Sequence, residues 1–188
     1  EVFDVEENDV NGGSFRIYIG HAKTILGSVR PGAQERVEAM REKEEEMGLS
    51  GGKAYEDFAK RVSEITDHIK KFIDSEVASG KKVYAYGAST KGNTLLQFCG
   101  LDHRLIGAAA ERNPIKWGKK TVATLIPIIP EEEARAQNPD YFLVLPWHFL
   151  PEFIRREEVY LKKGGKFVVP LPEFRVIGSQ DIEGVRQV

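Results

Sequence analysis

This chain has one cysteine, Cys99, so an internal disulfide is excluded and a reducing, cytoplasmic setting is the expectation. No apolar run approaches the ~20 residues needed to span a bilayer, and no membrane partner is expected. No secretory pattern leads the sequence. It opens on Glu1 without an initiating methionine and reads as starting inside a larger protein. Charge of neither sign dominates: 27 Lys and Arg against 29 Asp and Glu leave a formal −2, which gives no electrostatic reason to expect a nucleic-acid partner. His21, His68, His103 and His148 are widely scattered, and no metal site is expected. No internal repeat is visible. What remains, 188 residues of which 41% are hydrophobic, suffices for one sizeable core with appendages.

The most informative stretch is Val83-Tyr84-Ala85-Tyr86-Gly87-Ala88-Ser89-Thr90-Lys91-Gly92-Asn93-Thr94. An apolar run stops at a glycine, turns through small polar residues and enters a helix, a unit whose free N–H groups suit an anion. Lys91 adds a full positive charge to the helix end. Three phosphate or nucleophile motifs each fail by one residue. A dinucleotide fingerprint would have glycine where Ser89 stands, and its backbone could then touch a pyrophosphate. A P-loop would have lysine at Asn93. A nucleophile elbow around Ser89 would close on glycine, not Lys91. The plain alternative is a tight turn whose glycines permit close strand-to-helix packing.

Further strands are expected over Leu105–Ala110, Tyr141–Leu145 and Lys166–Val169. Between them, Pro130 with Glu131, Glu132 and Glu133 starts one helix. Pro151-Glu152 starts another, which closes on Lys162-Lys163 and Gly164-Gly165. Strands alternating with helices predict an α/β fold: a Rossmann-like, mostly parallel sheet with helices on both faces. The carboxyl ends of parallel strands share one edge, where ligands bind. The Gly87 loop, the turn Glu111-Arg112-Asn113-Pro114-Ile115-Lys116 and the pair Trp147-His148 should converge there. Glu111 follows Gly87 by a little over twenty residues, near the interval of roughly 20 at which a Rossmann acid reaches a ribose hydroxyl.

The first part of the chain reads differently. Val2–Val5 and Ser14–Ile19, joined through Asn11-Gly12-Gly13, predict a β-hairpin. Phe15, Ile17 and Ile19 alternate with Arg16 and Tyr18, so one face should be buried. Gln34–Met47 reads as a solvated charged helix. A longer amphipathic helix carries Tyr55, Phe58, Val62, Ile65, Ile69 and Phe72, for packing on the sheet or bridging domains rather than a coiled coil. The expected organisation is a hairpin over 1–22, a charged linker with a helix over 23–53, the Rossmann-like domain over 54–178 and a polar tail over 179–188.

Several motifs occur together in order: Gly87-Ala88-Ser89-Thr90-Lys91-Gly92-Asn93-Thr94, Glu111-Arg112-Asn113-Pro114 with Lys116 and Gly118, Ile126-Pro127-Ile128, Trp147, and Gly164-Gly165-Lys166 before Pro170-Leu171-Pro172. Together they resemble the C-terminal domain of the S-adenosylmethionine-dependent nucleotide-sugar C-methyltransferases. Asn11–Tyr18 resembles the segment closing that family's preceding domain, so the resemblance covers nearly the whole chain. It departs at Glu111, where the family usually has aspartate, and at Val122-Ala123, in place of proline-glycine.

The resemblance implies a parent enzyme that methylates a carbon of a keto-deoxysugar carried on a nucleoside diphosphate, commonly dTDP. It places the S-adenosylmethionine site and the deprotonating histidine, in a Tyr-x-Glu-His motif, in a preceding N-terminal domain. No such motif occurs before Asn11. This chain is therefore expected to bind no cofactor of its own, to transfer no methyl group alone, and to partner that N-terminal domain. The hairpin, by resemblance part of that domain's sheet, leaves an open edge through which two copies could self-associate.

Candidate substrate-binding residues are Gly87, Ser89, Lys91, Gly92, Asn93, Glu111, Arg112, Asn113, Lys116, Trp147 and His148, with none assigned a catalytic role. Each has a plainer alternative. Lys91 neutralises a diphosphate or snorkels at a helix start. Ser89 and Asn93 donate to phosphate or serve as caps. Glu111 accepts from a sugar or ribose hydroxyl, or pairs with Arg112 or Lys116. Asn113-Pro114 is a turn. Trp147 walls a base or fills core. His148 is a minor contact. Two other functions compete: an independent nucleotide- or NAD-binding module, and a structural module that braces a catalytic domain.

Overall fold

The computed structural model describes residues 1–22 and 30–185. Residues 23–29 of the expected linker and 186–188 of the expected tail lie outside them. The chain divides into two compact units, Glu1–Arg61 and Val62 onward.

In the first unit, β1 (Val2–Asn8) and β2 (Ser14–Ile19) form an antiparallel hairpin. The turn holds Asn11, Gly12 and Gly13 at positive φ, which two glycines and an asparagine adopt at little cost. Helix α1 (Ala33–Glu46) packs on β1. Most of it is exposed, as its charged composition implies, and it meets the hairpin through ion pairs. Arg36 donates to both oxygens of buried Asp4 at 2.8 and 2.9 Å, and Lys43 reaches Glu7 at 2.5 Å. The alternating row expected to be buried is not. Phe15, Ile17 and Ile19 are exposed. The reason lies in α1, which buries only Ala33 and Val37 and has too few apolar groups to cover a second row.

Helix α2 (Gly52–Ala78) begins in the first unit and enters the second. Ile69 and Ile73 are fully buried, with Ile65 and Phe72 packed beside them, whereas Tyr55 and Phe58 are exposed. Only the second half of the expected stripe therefore serves as core.

The second unit is built on a six-stranded sheet in the order β5-β4-β3-β6-β7-β8. Its strands are β3 (Val83–Tyr86), β4 (Ala109–Glu111), β5 (Ile128–Pro130), β6 (Tyr141–Val144), β7 (Lys166–Val169) and β8 (Arg175–Ile177). All pairings are parallel except β7 with β8. From β3 the chain steps outward through β4 and β5, then returns to β6 and steps the other way. That is the Rossmann order, with its reversal between β3 and β6. The sequence expectation of a mostly parallel α/β sheet agrees with this architecture.

Alternation along each strand separates two cores. Val83, Ala85, Leu143, Leu145 and Val168 face α2 and α3 (Thr90–Phe98), meeting Ile69, Ile73 and Leu96. Tyr84, Tyr86, Phe142, Val144 and Phe167 face the opposite layer: α4 (Glu131–Ala136), α5 (Leu150–Arg156) and α6 (Glu158–Lys162). Each buried Leu, Ile or Phe stabilises the fold by about 1.5–3 kcal/mol relative to exposure. Both faces are covered, which is why these strands read as nearly continuous apolar runs.

The helix expected from Pro151 to Lys162 is broken. Glu157 leaves helical geometry (φ −101°, ψ 20°), and its buried carboxylate accepts from Tyr86 Oη at 2.7 Å and Arg135 at 2.5 Å. The stretch beyond Ser179 is folded as far as Val185. Ile182, on α7 (Ile182–Val185), is buried in the second core. Among the described residues no helix is long and apolar enough to cross a membrane, and no group of three His, Cys, Asp or Glu could hold a metal ion.

Candidate functional site

At the carboxyl end of β3 the chain turns at Gly87, with φ +84°. A Cβ there would come within 2.8 Å of Pro146, in the loop after β6. Ser89 caps α3, its Oγ accepting the Gly92 N–H at 3.0 Å. Gly92 is buried, and a Cβ on it would lie 2.4 Å from Leu145 Cβ. Both glycines are thus demanded by close packing of loop and helix on the β6 end.

Glu111, the last residue of β4, stitches two loops together. Its Oε2 accepts the Ala88 N–H and the Lys116 Nζ, both at 3.0 Å, and its Oε1 accepts the Asn113 N–H at 3.0 Å. Lys116 Nζ also donates to the Ala88 carbonyl at 2.9 Å. Asn113 Oδ1 accepts the Ile115 N–H at 3.1 Å and opens the 3-10 turn Pro114–Lys116. Burial alone would push the Glu111 carboxyl up. The hydrogen bonds from Asn113, Lys116 and Ala88 outweigh it and hold the carboxyl below its ordinary range. The pairing with Lys116 read from sequence is present.

These loops wall a cleft of about 300 Å³ on the α4–α5 side of the sheet, with Gly87, Ser89, Glu111, Arg112 and Lys116 in its lining. Sequence reading missed three further charged members, Glu131, Glu152 and Arg156. Glu131 and Glu152 registered only as helix-start acids. Their signal was positional, since each opens a helix that leaves the carboxyl edge. Arg156 donates to Glu131 Oε1 and to Glu152 Oε1, both at 3.0 Å, and Arg112 donates to the same Glu152 oxygen at 3.4 Å.

Lys91 and Trp147 are elsewhere. They line a second, mostly apolar cleft of about 370 Å³ on the α2–α3 side, with Val62, Ile65, Phe98 and Leu171. Trp147 packs against both cores and lines only this second cleft, while Pro146 and Phe149 on either side of Trp147-His148 line the first with the Gly87 loop and the Glu111–Lys116 turn. Asn93 and His148 are in neither lining. Asn93 Oδ1 and His148 Nδ1 are buried without a hydrogen-bond partner among the described residues. Burial, with the Lys91 charge adding to it, pushes the His148 imidazole below its ordinary range.

Residues 9–172, which include both clefts, match the family described as the C-methyltransferase C-terminal domain. The chain belongs to that family. The C-methyltransferase NovU of Streptomyces niveus is 38% identical over 179 residues, covering 95% of this chain and 41% of the relative. The chain thus spans well under half the length of the curated relative it matches. In this C-methyltransferase C-terminal domain the matched range ends at Pro172, so β8 and α7 lie beyond it.

Proposed function

We propose that this C-methyltransferase C-terminal domain grips and orients a nucleoside-diphosphate keto-sugar of the dTDP class, within a longer cytoplasmic protein that methylates a sugar carbon. The observation that carries the reading is the meeting of the Gly87 loop and the Glu111–Lys116 turn in one charged cleft at the sheet reversal, where open α/β sheets take ligands. The candidate contacts are Gly87, Ser89, Arg112 and Lys116 in the charged cleft, with Asn113 in the turn that joins Glu111 to Lys116. Lys91 and Trp147 contribute from the apolar side, and Gly92, Asn93, Glu111 and His148 support them.

The residues of the charged cleft do not fit S-adenosylmethionine or a dinucleotide. The acid that would take ribose hydroxyls, Glu111, is engaged by Ala88, Asn113 and Lys116, and Ser89 puts a side chain where close backbone approach needs glycine. That supports placing the S-adenosylmethionine site and the base in a preceding N-terminal domain. The exposed row Phe15, Ile17 and Ile19 would meet that domain, or a second copy in its absence. Methylation at carbon requires loss of a proton beside the sugar ketone, and this domain's part is to hold that carbon in position, an effect worth several kcal/mol toward the barrier. Cys99 is buried, with its thiol pushed up to about 11 by burial, and fits a reducing compartment.

A calorimetric titration of the chain with dTDP, a dTDP-keto-sugar, NAD and S-adenosylmethionine tests the reading. Binding of the dTDP ligands alone is expected, and preferential binding of NAD or S-adenosylmethionine would overturn it. A bracing module without ligand is the second reading. It is favoured by the internal pairing of the cleft's charges and predicts no binding of any of the four.

A further inference from the structure

Two arginines converge on one carboxylate oxygen in the charged cleft. Arg112, just past β4, and Arg156, in the last turn of α5, both donate to Glu152 Oε1, at 3.4 and 3.0 Å. The two are held very differently. Arg156 is fixed: its other terminal nitrogen donates to Glu131 at 3.0 Å, and its guanidinium lies over the rings of Phe153 and Tyr86, at 5.0 and 5.9 Å. Glu131 is also paired with Arg135, which is in turn anchored on the buried Glu157. Arg112 and Glu152 are loose, with side chains 66% and 49% exposed.

This is an under-used site. Each guanidinium carries five donors in a fork suited to phosphate, yet both commit a terminal nitrogen to the same oxygen of one monoanion, Arg156 giving its other to Glu131. The Glu152 contacts are surface pairs, worth little and readily exchanged. The cleft's remaining ion pairs are better held. The side chains of Glu111 and Glu131 are 12% and 11% exposed; Glu111 accepts from Ala88, Asn113 and Lys116, and Glu131 is paired with both Arg156 and Arg135. Three cations, Arg112, Lys116 and Arg156, face three anions, Glu111, Glu131 and Glu152. Withdrawing Glu152 alone leaves an excess positive charge with two guanidinium groups aimed at the vacated position.

We propose that Glu152 is a placeholder for a diphosphate. Arg112 and Arg156 form the clamp that receives the phosphates when the Glu152 side chain swings into solvent. The inference rests on the nucleotide-sugar reading for the source of the diphosphate. It assigns the phosphates to a pair of arginines rather than to the amino end of α3, where Ser89 and Glu111 already occupy the Gly92 and Ala88 N–H groups.

The sign of one substitution tests it. The 188-residue chain is titrated with inorganic pyrophosphate and with dTDP as the native protein, Glu152→Gln, Arg112→Ala and the double variant. Glu152→Gln keeps the side-chain size and removes the competing charge. It should tighten pyrophosphate binding about two- to fivefold, the affinity equivalent of a surface ion pair. Arg112→Ala should weaken binding and, in the double variant, cancel the gain. An unchanged melting temperature confirms that exposed Glu152 was altered without loss of fold. Weaker or unchanged binding by Glu152→Gln, or no pyrophosphate binding by any variant, overturns the placeholder. If the gain appears but dTDP-keto-sugars do not bind, the clamp stands and the nucleotide-sugar reading fails. If they bind with no response to Glu152→Gln, the reverse holds.

Discussion

Glu111 Oε2 accepts the backbone N–H of Ala88 at 3.0 Å, so the end of β4 holds the loop that follows β3. Replacing Glu111 by alanine leaves the Ala88 and Asn113 N–H groups and Lys116 without that acceptor. A loss of about 1–3 kcal/mol is expected in urea unfolding, with faster hydrogen exchange at Ala88. The pH dependence has a definite sign. The Glu111 carboxyl lies below its ordinary range in the folded protein, so its contribution is complete above the unfolded value of about 4.3 and fades as pH falls through the lower folded value. Unchanged exchange at Ala88 would show that the loop holds itself.

Gly92→Ala sets two effects against each other. Alanine favours helix over glycine by about 1 kcal/mol. The new Cβ, however, meets Leu145 Cβ at 2.4 Å, and neither atom can rotate away. Overpacking of this kind costs about 1–3 kcal/mol, so the net change should be destabilising. A thermal melt at or above the native temperature would mean that α3 shifts outward freely.

Glu157 and Tyr86 should separate a buried charge from a buried hydroxyl. Glu157→Ala removes the acceptor shared by the Tyr86 hydroxyl and Arg135, whose partly exposed guanidinium keeps Glu131, and should cost about 2–4 kcal/mol. Tyr86→Phe removes one donor while Arg135 still pairs the carboxylate, and should cost about 1–3 kcal/mol. Urea unfolding of both variants checks the order, which the network requires.

The first unit carries its own acid response. Hydrogen bonds from Arg36, opposed by burial and reinforced by Arg30, hold Asp4 down to about 2. Its stabilising contribution is complete above the unfolded value of about 3.9 and is lost as pH falls from there toward 2. Exchange of the β1 amides should accelerate across that window, and Asp4→Asn should flatten the response. A window unaltered by Asp4→Asn would place the acid sensitivity in other carboxylates.

Much of the second unit was legible because β3, β6 and β7 are buried on both faces and their helices carry proline, acids and glycine at the expected ends. β5 and β8, at three residues each, are too short for periodicity to register. The Glu157 break was invisible because it answers to Tyr86 and Arg135, distant in sequence. In the site, the spacing of Gly87 and Glu111 marked two loops that do meet. It could not assign Lys91 and Trp147 to a different side, since that depends on which layer α3 joins. Arg156 went unread because a basic residue in the last turn of a helix is ordinary; only the fold brings it beside Arg112.

The six-stranded sheet is finite at both rims. One ends in β5, which closes on Pro130, a residue with no N–H to donate; the other ends in β8, three residues running backwards. Neither rim offers an incoming strand a long ladder to extend. The hairpin does, with six- and seven-residue strands and an apolar row in β2. Fibril growth, if a concentrated sample shows any, should therefore be templated by residues 2–19, appearing as new exchange protection there while the Rossmann sheet stays unchanged.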